Sequence, residues 1–115
     1  MNTKDLYLRF LNIIHALNGQ DRSVLMDSDS EKLLEVIAIN HAKETPMTVS
    51  AAMSLSYIAS PATIHRKLDI LLELGMIESV LKGKNRRTKY LVPTQLADYY
   101  FSSMGEAMNK AQNNA

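Results

Sequence analysis

The chain contains no cysteine. Disulfides, thiolate metal sites, thiol redox sensing and a cysteine nucleophile are thereby excluded, and the composition suits a reducing compartment. Long apolar runs are also missing. None approaches the roughly 18 residues of a membrane span, and the opening MNTKDLYLRF places Asp5 and Arg9 where a signal peptide needs an unbroken apolar stretch. A cytoplasmic location with no membrane partner is expected. There is no phosphate-binding glycine loop, no nucleophile beside a plausible base, and no pair of carboxylates set to divide their acidities, so the reading is not that of an enzyme. His15, His41 and His65 fall on three different predicted helices without a companion ligand. No metal site and no cofactor are expected.

What is present is a folded-protein composition. Of 115 residues, 46% are apolar and 22% charged, enough for a single core and too few for two ordinary domains. The net charge of +1 is unevenly spread. Residues 1–46 hold five basic and seven acidic side chains, whereas residues 47–115 hold eight basic and five acidic. The densest cationic stretch, residues 82–89, has five basic side chains and no acidic one. Positive charge so concentrated points to a polyanionic partner.

Apolar residues recur at Leu6, Phe10, Ile13, Ile14 and Leu17, an amphipathic helical spacing over residues 3–17 with Gly19 placed to end it. A polar connector follows. Ser28 and Glu31 make an S-x-x-E capping box for a second helix over residues 29–43, with Leu33, Leu34, Ile37 and His41 as its buried stripe. Pro46 bars continuation, and Thr48 or its neighbour caps a short helix over residues 49–55. After the turn SYIAS, Ser60 and Pro61 start a helix whose Ile64, Leu68, Leu71 and Leu72 face the core and which Gly75 stops. Its opposite face is Ala62, Thr63, His65, Arg66, Lys67 and Asp69. MIESVLK and TKYLVP then read as strands joined by GKNRR, with Gly83 and Asn85 suited to a tight loop and Pro93 ending the second strand. From Thr94, the residues Leu96, Ala97, Tyr100, Met104, Ala107, Met108 and Ala111 form a last helical stripe, interrupted by Gly105.

The predicted architecture is mainly α with a small β-hairpin wing: a winged helix-turn-helix over residues 29–93, flanked by helices over 1–19 and 94–111. A helix presenting Thr63, His65, Arg66 and Lys67 fits a major groove, where arginine pairs with guanine in a bidentate way. Lys84, Asn85, Arg86 and Arg87 would lie on flanking backbone or minor groove, with one of Arg86 and Arg87 reaching the minor groove or phosphates and the other bracing the wing, because adjacent strand residues point oppositely. Thr48, Ser50, Ser60 and Ala62 complete the candidate DNA-binding set. Double-stranded DNA is the expected partner.

With those residues in place, residues 29–98 resemble the winged helix-turn-helix regulators of the MarR type. The resemblance rests on Ala52, then Ser60, Thr63 and Arg66, then Leu71, Gly75 and Ile77, then Arg87, then Thr94. Asn85, Pro93 and Ala97 depart from the usual Asp, Leu and Gly of that pattern. The resemblance implies a transcriptional regulator acting as a homodimer on a palindromic site, with interlocked terminal helices. Leu6, Phe10, Ile13, Leu17, Leu96, Tyr100, Met104 and Met108 are the candidate dimer interface, since they offer more apolar surface than so small a core covers. No position identifies a pocket for a small-molecule effector. The alternative is a winged helix serving as a protein adaptor or assembly module without sequence-specific DNA readout.

Overall fold

Side-chain oxygens of Asp27, Thr48, Ser60 and Thr94 set where four of the helices begin, each accepting the backbone N–H three residues on, from Ser30, Ala51, Thr63 and Ala97 respectively. The computed structural model describes residues 2–20 and 26–113, without the side chains of residues 18–20, 85 and 86. In chain order the elements are α1 Thr3–Gln20, α2 Ser28–Ala42, α3 Val49–Met53, α4 Pro61–Glu73, β1 Ile77–Lys82, β2 Asn85–Pro93 and α5 Gln95–Asn113. This is the order helix, helix, helix, helix, hairpin, helix that the periodicity predicts.

The chain divides into two compact units. One, residues 26–97, is a winged helix-turn-helix. Leu33, Leu34 and Ile37 of α2 pack with Ile64, Leu68 and Leu71 of α4, closed by Ala52 of α3, by Met76 in the turn after α4 and by Ile77, Leu91 and Val92 of the hairpin. The two strands pair antiparallel from Ile77↔Pro93 to Leu81↔Lys89. Ahead of α3, the Met47 carbonyl accepts the Leu91 N–H at 2.7 Å, an isolated bridge that fastens the α2–α3 link to β2. A single bridging residue leaves no periodicity for a sequence to show.

Two helices of this unit end alike. Past α4, Met76 N–H bonds the Leu71 carbonyl and Gly75 N–H that of Leu72; past α2, Thr45 N–H bonds Asn40 and Glu44 N–H bonds His41. Both are Schellman closures, whose turning residue needs a left-handed backbone. Gly75 supplies it at φ 72°, and Glu44 adopts it at φ 63°. Thr94 locks the first closure in place, because its hydroxyl donates to the Gly75 carbonyl and its N–H to the Met76 carbonyl. Gly75 and Thr94, two residues on which the family resemblance rests, are thus one structural joint.

The other unit comprises residues 1–25 and 98–115, described through α1 and the greater part of α5. Ala107 and Ala111 are buried in it, while Tyr7, Leu8, Tyr99 and Met108 stand exposed. Between the helices lies an apolar cleft of about 330 Å³ lined by Thr3, Leu6, Tyr7, Phe10, Met108, Ala111 and Gln112.

Several sequence expectations are corrected. The cap of α2 is Asp27, not Ser28, because Asp27 holds the extended backbone of a capping residue and its carboxylate reaches Ser30 N. Gly19 lies inside α1, which continues to Gln20. His41 is exposed in the last turn of α2, so the stripe ends at Ile37. Leu72 is also exposed. At about 100° per residue it falls some 80° around the helix from Ile64, whereas Leu71 returns to within about 20°. The hairpin loop is only Gly83–Lys84, and Asn85, Arg86 and Arg87 already belong to β2. Gly83, at φ 65°, takes the left-handed angle that so short a loop needs. Leu96 is largely exposed at the first turn of α5, and Gly105 does not break that helix.

Candidate nucleic-acid interface

The proposed reading surface is built on unit 26–97 alone. Ser60, with an extended backbone, caps α4 while Pro61 occupies its first turn, where its fixed φ suits a helix start. Burial of Ile64, Leu68 and Leu71 then commits the opposite face to solvent. Ala62, His65, Arg66 and Asp69 are exposed there; Thr63 and Lys67 are half-buried.

Side chains on this face are mutually engaged. Ser60 Oγ donates to Thr63 Oγ1 at 3.0 Å, and Arg66 Nη2 donates to the same Thr63 Oγ1 at 3.2 Å. His65 Nδ1 lies 3.6 Å from Asp69 Oδ2, one helical turn further on. The Lys67 ammonium is paired with the Asp27 carboxylate at the start of α2. That ammonium, with the Ser30 N–H, holds the Asp27 carboxyl down to about 2. Burial, reinforced by repulsion from Glu35 and Asp27, pushes the neighbouring Glu31 the other way, above its usual range. Lys67 therefore has an anionic partner within its own chain.

Before α4, Thr48 caps α3 and Ser50 is exposed on it, its carbonyl accepting the Ser54 hydroxyl at 3.1 Å. The turn from α3 to α4 carries Tyr57, 70% exposed. Asp27 carries no local signal in the sequence for its pairing with α4. Its partner Lys67 is forty residues away, and only the fold brings them together.

On the wing, Lys82, Lys84, Arg87 and Lys89 are exposed. Asn85 and Arg86 lie in β2, and their side chains are outside the described residues. The register breaks here: Leu81 faces Lys89 but Lys82 faces Asn85, so residues 86–88 bulge from β2. A bulge interrupts strict alternation, so alternation alone does not assign opposite directions to Arg86 and Arg87 in this stretch. Among the described residues, no group of three His, Cys, Asp or Glu side chains is placed to hold a metal ion. No helix among them is long and apolar enough to cross a membrane.

No protein-family model matches the chain, and no curated protein matches it. Solved structures do. RV1404 from Mycobacterium tuberculosis superposes with a TM-score of 0.63 at 14% identity over 85% of this chain and 62% of that one. This chain thus spans under two thirds of RV1404. MarR gives 0.57 at 20% identity, covering 98% of this chain and 80% of that one. ZitR of Lactococcus lactis, solved in complex with DNA, gives 0.53 at 18% identity over 99% and 80%. These likenesses show the fold, a winged helix with flanking helices of the kind found in MarR.

Proposed function

We propose that this chain is a homodimeric transcriptional regulator that binds double-stranded DNA in a sequence-specific manner, in the cytoplasm. The observation that carries the reading is the capped, solvent-facing start of α4, bearing Thr63, His65 and Arg66 on the same compact unit as a wing with four exposed cations. In this reading Arg66 reaches base edges in the major groove, where a bidentate arginine favours guanine. Thr48, Ser50, Ser60 and Ala62 approach the adjoining backbone. Lys84, Asn85, Arg86 and Arg87 sit on flanking phosphates or in the minor groove, a task for which a basic loop suits. Lys67, held by Asp27 in the free chain, contributes at the edge of the contact.

The dimer part of the proposal rests on the second unit. An apolar cleft between two helices, bordered by a 59% exposed Tyr7 and a 57% exposed Met108, is surface that a further pair of helices would cover. Leu6, Phe10, Ile13, Leu17, Tyr100 and Met104, all half-buried, would contribute beside the exposed Leu96 and Met108. Two copies of the reading unit related by a two-fold axis then read an inverted repeat.

Titrating salt against binding to a random duplex tests the nucleic-acid part. Affinity should fall steeply and linearly on a log–log scale as counterions compete. Binding that is absent, or indifferent to salt, would favour a protein adaptor instead.

A further inference from the structure

Arg66 does not project from α4 as a free cation. Its Nη2 donates to Thr63 Oγ1 at 3.2 Å, and the same oxygen accepts the Ser60 hydroxyl at 3.0 Å. Ser60 Oγ in turn accepts the Thr63 N–H at 3.3 Å as the helix cap. Three side chains at successive turns, residues 60, 63 and 66, are thus joined into one chain of bonds that starts at the cap and ends at the guanidinium.

From this geometry we infer that Thr63 is a positioning residue for base readout: its hydroxyl, oriented by Ser60, holds the Arg66 guanidinium in place before DNA arrives. The inference deepens the DNA-binding reading and rests on it. Its physical basis is the entropy of arginine, among the largest of any side chain to lose on ordering. A side chain already held in its bound arrangement avoids part of that cost. The bond to Thr63 engages one of five guanidinium N–H donors, leaving four, which is enough for a bidentate pair with guanine O6 and N7. Both lone pairs of Thr63 Oγ1 are used, by Ser60 and Arg66. Its own hydroxyl proton stays available to a phosphate, so a direct contact of Thr63 with DNA is the rival role.

Thr63→Val and Thr63→Ser separate the two. Valine keeps the branched shape at the start of α4 and removes the oxygen; serine keeps the oxygen. Bound sequences are first selected from a random duplex library with the wild-type chain. Affinities of wild type, Thr63→Val, Thr63→Ser, Arg66→Ala and Thr63→Val/Arg66→Ala are then measured at the selected duplex and at duplexes changed one base pair at a time, with helical spectra recorded for each protein. Thr63→Val should lose about three- to tenfold of discrimination at the same base pair whose discrimination Arg66→Ala abolishes. The double variant should lose no more there than Arg66→Ala alone. Thr63→Ser should retain discrimination. Additive losses, a loss at a different base pair, or a uniform loss on every duplex would overturn the inference and make Thr63 an independent contact. Unchanged discrimination in Thr63→Val would overturn it as well. In each of these cases the wild-type preference, and with it the proposed function, survives. Selection of no preferred sequence by the wild type would remove both.

Discussion

Asp27 is bonded to two elements at once: its carboxylate accepts the Ser30 N–H at the start of α2 and pairs with the Lys67 ammonium on α4. The cap that begins one core helix is therefore also the anchor of the helix proposed to read DNA. Asp27→Asn keeps a capping oxygen and removes the ion pair, whereas Asp27→Ala removes both. With the Asp27 side chain 47% exposed, the pair is worth under about 1 kcal/mol, and loss of the cap adds about 1 kcal/mol more. Urea unfolding of the two variants should show that order. Equal losses would mean that Asp27 acts through only one of its bonds.

The same residue sets a pH dependence. Its folded value, about 2, lies below the ordinary 3.8. A depressed carboxyl stabilises the fold at pH above its unfolded value and loses that contribution as pH falls toward its folded value. The stability difference between wild type and Asp27→Asn should be constant from neutral pH to about 4, then shrink toward pH 2. A difference that grew on acidification would contradict the assignment.

Glu44 and Gly75 hold the same left-handed place after α2 and α4, and substitutions at the two sites should act oppositely. No atom lies within 4 Å of a Cβ added at Gly75. Gly75→Ala should therefore cost only the backbone penalty, about 1–2 kcal/mol. Glu44→Gly removes such a penalty while freeing the unfolded chain, so it should leave stability unchanged or raise it by up to about 1 kcal/mol. Denaturant midpoints of both variants check this. A clear loss on Glu44→Gly would point to a role for its side chain.

These helix ends also show what a sequence carries. Ser60–Pro61 and Gly75 mark both ends of α4 in local code, and the structure places them as read. Glu44 could not be foreseen, because the hydrogen bonds that hold it left-handed exist only once α2 has formed. Likewise His41 and Leu72 continue their apolar series on paper, yet stand outside the packed surface. The outer face of α4 follows directly from burial of Ile64, Leu68 and Leu71. The Ser60–Thr63–Arg66 bonds follow from i, i+3 spacing, and the Asp27–Lys67 pair needed the fold.

Lys82 and Lys84, both exposed on the wing, should supply affinity without selectivity. Replacing both by alanine should weaken binding to every duplex alike and flatten the slope of log affinity against log salt by roughly 1.8, if each neutralises one phosphate. An unchanged slope would place the wing away from DNA.

On the other unit, Tyr7→Glu with Met108→Lys places charges in the apolar cleft. Sedimentation should report a dimer for wild type at micromolar concentration and a monomer for the double variant, with helical spectra confirming that both are folded. A monomeric wild type would remove the homodimer from the proposal.

Selection of bound sequences from a random duplex library bears most directly on the central claim, since specificity and two-fold symmetry are read together. Two inverted half-sites, centred roughly 10 base pairs or a multiple apart, with a guanine position lost in Arg66→Ala, are the predicted result. A library that emerges without any enriched sequence, while the protein remains folded, would contradict it.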